Sequence, residues 1–157
     1  MYRGGVHVTG QAAVTLTAGV YVMDGGGFRV NGPASVTGNG VMIYNTAGDT
    51  HPAGPVRIEG QGKVELTAPT AGTYQGISVF QHRGLTQPVT VSGSGQTTVT
   101  GVVYAAKAPV TLTGTAAGTD VLGGAYVADS LTATGAGSVT VSYGQNPPRV
   151  PDVRLVE

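Results

Sequence analysis

Val6-His7-Val8-Thr9-Gly10, Phe28-Arg29-Val30-Asn31-Gly32, Val56-Arg57-Ile58-Glu59-Gly60, Val89-Thr90-Val91-Ser92-Gly93, Val110-Thr111-Leu112-Thr113-Gly114 and Leu131-Thr132-Ala133-Thr134-Gly135 are six copies of one unit, apolar–x–apolar–x–Gly. They recur at about 21 or 22 residues, except around the third, where residues are inserted. Self-similarity on this scale marks a solenoid. The alternation within each unit is that of a strand with one buried face. Val6, Phe28, Val56, Val89, Val110 and Leu131 stack as one inward column; Val8, Val30, Ile58, Val91, Leu112 and Ala133 stack as a second. The closing glycine suits a corner, where φ turns positive or two backbones come close.

Working outward, a second strand follows each glycine, with inward positions Val14, Val36, Val64, Thr97 and Val139, then Leu16, Gly38, Leu66, Val99 and Val141. The fifth repeat is out of step between Thr115 and Asp120. A third strand opens at Gly19, Gly40, Gly76, Gly101 and Gly124. Aligning those glycines predicts inward columns Val20/Val41/Ile77/Val102/Ala125 and Val22/Ile43/Val79/Tyr104/Val127. Three strands per turn describe an all-β fold, a single-stranded parallel β-helix of about five and a half coils. Parallel crossovers are right-handed in about 98% of cases, so that hand is expected. The helix occupies residues 1–145; residues 146–157, with three of the chain's prolines, form an extended tail that packs on or leaves the last coil. Only Met1–Gly5 precedes the first strand, too little to cap it. The expectation is a C-terminal domain of a longer protein; the rival is a bare first rung that stacks on another copy.

Composition narrows the function classes. Charged residues are 10% of the chain, aromatics 6%, and the net charge is zero. That balance gives no basis for a nucleic-acid partner or an anionic membrane surface. No apolar run reaches the 18 residues of a membrane span, and no signal peptide is visible. The absence of cysteine removes disulfides and thiolate metal sites.

The stretch Gly19–Thr46 resembles the β-helical C-terminal region of bacterial tight-adherence (Flp) pilus-assembly proteins of the TadE/G-like type. Val64–Gln81 and Val103-Tyr104-Ala105 agree with it, so the resemblance covers nearly the whole chain. It implies a structural part of the cell surface, in which a membrane-anchored segment precedes this region, and it carries no catalytic residues.

The residues themselves offer three candidate surfaces. Insertions at Thr46–Pro55 and His82–Pro88 emerge at one corner on neighbouring coils, and Pro69–Gly76 at the preceding corner. Long loops on a rigid frame are where solenoids place binding functions. Asp49, His51, Tyr74, His82 and Arg83 are the candidate ligand-binding group there. On the first strand, His7, Arg29 and Arg57 stack beside Glu59 as a candidate anion or glycan stripe. Further on, Thr90/Ser92, Thr111/Thr113 and Thr132/Thr134 form flat hydroxyl ladders, a candidate ice- or glycan-binding face. Thr is also an ordinary outward strand residue.

Catalytic constellations are missing from this inventory. The eight carboxylates are dispersed, and Asp24 and Asp129 read as members of a strand-three corner column with Asn45, Gln81 and Ala106. The histidines lack metal-ligand spacing, and no G-x-S-x-G elbow occurs. The expectation is a non-catalytic structural or adhesive domain with no cofactor and no metal, acting as a rigid spacer. Its expected partners are envelope or pilus proteins, further copies of itself, or polysaccharide; its expected place is the cell surface or outside the cell. A glycan- or ice-binding module is the alternative, and a carbohydrate-active enzyme a more distant one.

Overall fold

Strands form where the apolar–x–apolar units predict them, and each pairs in parallel with its counterpart one repeat away. The computed structural model describes residues 1–93, 96–115, 120–136 and 140–141. Among these the secondary structure is all strand and turn, without a helix. The fold is all-β, parallel and solenoid-like. The tail at 146–157 and the inward position Val139 lie outside the described residues.

The pairing sorts the strands into three faces. The first holds Val6–Val8, Phe28–Gly32, Val56–Gly60 and Val89–Ser92, then the later parts of Val102–Gly114 and Ala125–Gly135. The second holds Ala13–Leu16, Ser35–Asn39, Val64–Thr67, Thr97–Thr100 and Val121–Leu122. The third holds Tyr2–Arg3, Gly19–Asp24, Val41–Thr46 and Ile77–Gln81, then the opening parts of the two long strands. Those long strands run from the third face into the first without an intervening loop.

On the first face the register matches the sequence repeat at every rung. Val6 lies opposite Phe28, Phe28 opposite Val56, Val56 opposite Val89, Val89 opposite Val110, and Val110 opposite Leu131. Phe28, Val30, Val56, Ile58, Val89, Val91, Val110 and Leu112 are buried in the core. Each such side chain contributes about 1.5–3 kcal/mol of transfer free energy before entropy is subtracted. On the second face, Val14, Val36, Val64 and Thr97 share one column. The out-of-step fifth repeat resolves as Leu122 beside Val99. Buried Asp120 precedes it, its carboxylate accepting the Thr97 backbone N–H at 3.1 Å.

The third face departs from expectation in three of its repeats. Ile43 and Val79 point inward as predicted, but Val20 and Val127 are each 43% exposed. In the first repeat Met23 is buried and Tyr21 packs on the core; in the fourth, Val103 and Ala105 are buried; in the fifth, Tyr126 and Ala128 pack inward. Val22 and Tyr104 therefore face outward, in register with Tyr44 and Val127 respectively. The cause is a one-residue slip, which moves a strand's whole side-chain set to the opposite face. Gly19 sits opposite Val41, not Gly40, because the 22-residue offset of Val6 and Phe28 persists to Asp24 and Thr46. A bulge at Ser78 then shifts the register between the third and fourth repeats. The same slip corrects the corner column. Met23, not Asp24, aligns with Asn45 and Gln81; Ala105, not Ala106, follows them. Asp24 instead lies 3.9 Å from Arg3.

The segment before the first repeat is not idle. Tyr2–Arg3 pairs with Met23–Asp24, and the Tyr2 ring stacks on Tyr21 at 5.9 Å.

Candidate functional site

The outward side of the third face carries the most unusual surface. Val22, Tyr44, Phe80, Tyr104 and Val127 form one row across successive repeats. Phe80 and Tyr104 stack at 4.6 Å with planes 5° apart, and Tyr44 leans on Phe80 at 5.7 Å. Offset aromatic contacts of this kind contribute about 0.5–1.5 kcal/mol beyond buried area. Rings stacked along the solenoid axis turn their edges, not their faces, to solvent. The row is thus an apolar strip on a surface where polar residues are the norm.

The loop Pro69–Gly76 stands beside the strip. It closes on itself, the Gly76 N–H bonding the Pro69 carbonyl at 2.8 Å and the Ile77 N–H the Tyr74 carbonyl at 3.1 Å. Tyr74, 44% exposed, overhangs a cleft of about 600 Å³ floored by Val20, Val22, Met42 and Tyr44. Two further hollows continue it. One of about 390 Å³ lies at the corner of Ala18, Gly40 and Pro69, and one of about 490 Å³ lies on the second face over Thr15, Thr37, Asn39 and Thr67.

The loop candidates separate. Tyr74 lies at the corner between the second and third faces, whereas Asp49, His51, His82 and Arg83 lie beyond the opposite ends of the third-face strands. Tyr74 thus stands at the corner preceding that of the other four, as the positions of the insertions in the sequence imply. Asp49 and Arg83 are exposed. The His51 ring lies against Gly4, its Nδ1 bonds Thr50 Oγ1 at 3.0 Å, and its carbonyl accepts the Gly48 N–H at 3.1 Å. His82 is tied through its N–H to the Asn45 carbonyl at 2.8 Å, and its Nδ1 accepts the Gly84 N–H at 3.2 Å. Among the described residues no group of three or more His, Cys, Asp or Glu is placed to hold a metal.

Buried amides hold the insertions down. Asn45 Nδ2 donates to Gln81 Oε1 and to the Gly54 carbonyl, both at 2.9 Å. Gln81 Nε2 donates to the Gln87 carbonyl at 2.9 Å. Both side chains are fully buried, so these bonds replace water that the backbone at this corner cannot reach.

The other two candidate surfaces form in register. His7, Arg29 and Arg57 stack on successive repeats, with Arg57 3.9 Å from Glu59. His7 Nε2 reaches the Gly26 carbonyl at 3.3 Å. Thr90, Thr111 and Thr132 align, as do Ser92, Thr113 and Thr134. The Thr113 and Thr134 hydroxyls bond each other at 3.2 Å.

The outward placement of Tyr104 in one row with Tyr44 and Phe80 is not legible in the glycine spacing. The constant 22-residue offset across the first two repeats was the signal that could have placed the row's start; the Ser78 bulge has no sequence signature.

Together these features define a parallel, solenoid-like β domain with an apolar side face and a groove at one corner. Residues 3–146 match the family described as Domain of unknown function (DUF7305), and the chain belongs to that family. No curated protein and no solved structure matches the chain.

Proposed function

We propose that this chain is a right-handed β-helix of three strands per coil and about five and a half coils, serving as a non-catalytic structural and adhesive domain of a cell-surface protein. The observation that carries this reading is the row Val22–Tyr44–Phe80–Tyr104–Val127, apolar yet outward across five repeats. Contiguous exposed apolar strips mark contact surfaces. The frame behind it is stiff, because every repeat is tied to its neighbours by parallel ladders and close-packed columns. Several polar side chains have structural partners: Asn45 and Gln81 in the corner ladder, Asp120 on the Thr97 N–H, Glu65 on Lys63 at 2.7 Å. The resemblance to tight-adherence pilus-assembly proteins supplies the setting, an envelope or pilus-associated assembly at the cell surface.

Sedimentation velocity over a wide concentration range tests the assembly face. Weak, reversible association is expected, and loss of it in Phe80→Ser/Tyr104→Ser supports the reading. A chain that stays monomeric at every concentration, with the double variant indistinguishable, overturns self-assembly through this face. Release of new reducing ends from a polysaccharide panel would overturn the non-catalytic assignment.

A further inference from the structure

The three hollows around the Pro69–Gly76 loop are one trough. The second-face hollow meets the corner hollow at Ala18, and the corner hollow meets the third-face cleft at Val20, Thr73 and Tyr74. Its two ends differ in chemistry. The second-face end presents the hydroxyls of Thr15, Thr37 and Thr67 and the Asn39 amide, with Thr67 Oγ1 donating to Asn39 Oδ1 at 2.6 Å. The third-face end presents Val20, Val22 and the rings of Tyr44 and Tyr74, with buried Met42 beneath them.

Charge narrows the occupant. The trough's lining contains one ionised group, Glu65, which Lys63 neutralises at 2.7 Å. No cation lines it, so an anionic polymer would desolvate its charge without a partner. The floor is made of sheet faces, and its outermost second-face strand, Ala13–Leu16, pairs on one side only, with Ser35–Asn39. An extended peptide added to that edge would lie beside the sheet and not across the hydroxyls and rings of its face. A second copy seated on this face would make only the weak, reversible contact expected above. The apolar part of the third face spans about 17 by 24 Å, or ~400 Å², from strand rise and strand spacing. A standard interface buries about 800 Å² per partner.

We propose that the trough binds an uncharged oligosaccharide. Its C–H faces lie against the exposed Tyr74 and the apolar floor of Val20 and Val22, and its hydroxyls pair with Thr37, Asn39 and Thr67. This deepens the adhesive reading by naming the ligand class. Phe80 lines both the row and the cleft, but Tyr104 lies outside the trough, so Tyr104→Ser alone should weaken association and leave glycan binding unchanged.

The test is titration of the dilute, monomeric chain with cellohexaose, maltohexaose and chitohexaose, followed by amide shifts in ¹H–¹⁵N spectra. Polygalacturonate hexamer is the charged comparison. At least one neutral hexamer should shift the amides of Thr37, Asn39, Thr73 and Tyr74 saturably. Tyr74→Ala and Thr37→Lys, both at solvent-facing positions, should each weaken that binding about tenfold, and Lys107→Ala, at an exposed position outside the trough, should not. Preference for polygalacturonate, shifts centred on Arg29 and Arg57, or no saturable shift with any neutral hexamer at millimolar concentration each overturn the proposal. Failure here with association intact removes the glycan site and leaves the assembly face standing.

Discussion

Replacing Asn45 by Ala should cost about 2 kcal/mol of stability, and the structure shows how that figure arises. Two hydrogen bonds disappear, to Gln81 Oε1 and to the Gly54 carbonyl. Each contributes about 1 kcal/mol net, and the acceptors left without a donor add about 1 kcal/mol, the low end for a buried unpaired group. Against this, Asn45 Oδ1 is itself buried without a partner, and its removal returns about 1 kcal/mol. With an unfolding entropy of about 2.1 cal/mol/K per residue, a 157-residue chain should melt about 6 °C lower. Thermal melting by circular dichroism and urea unfolding measure the loss. A double-mutant cycle with Gln81→Ala should show a coupling of about 1 kcal/mol, since the two side chains share one bond. A loss below about 0.5 kcal/mol, or strictly additive single variants, would refute the claim that this amide pair fastens the insertions to the frame.

Two glycines with nearly equal backbone angles should respond differently. Gly10 (φ +66°) faces open space, so Gly10→Ala should cost about 1–2 kcal/mol, the left-handed penalty alone. Gly26 (φ +69°) has the Gly4 carbonyl where a Cβ would sit, so Gly26→Ala should cost clearly more in urea unfolding; equal losses would refute the close-packing argument. Tyr126 tests burial. Its hydroxyl is buried without a hydrogen-bond partner, and desolvation pushes its phenol well above the ordinary value near 10. The folded state then holds its proton more tightly than the unfolded state, so this stabilisation is whole below about pH 10 and falls as pH rises beyond it. Tyr126→Phe should melt about 2–4 °C higher at pH 7, consistent with about 1 kcal/mol gained, and lose part of the alkaline decline; an unchanged alkaline slope would count against the assignment.

The sequence by itself determined the first two faces. Their outward positions are polar or small, as in His7, Arg29, Thr90 and Thr111 against inward Val6, Phe28, Val89 and Val110, so only one alternation buries the apolar set. The corners from which the insertions leave were legible for the same reason. The third face was not, because both of its alternations are apolar: Val20 and Val22 compete with Tyr21 and Met23, and Tyr104 competes with Val103 and Ala105. Hydrophobic burial alone nearly balances between such registers. The choice fell to tertiary contacts: the parallel ladder that carries the 22-residue offset through Gly19, the bulge at Ser78, and the Asn45–Gln81 amide bond, which requires those side chains to face inward together. The outward aromatic row and the trough beside Tyr74 follow from that choice, which is why the surface used for the functional proposals emerged only once the coils were stacked.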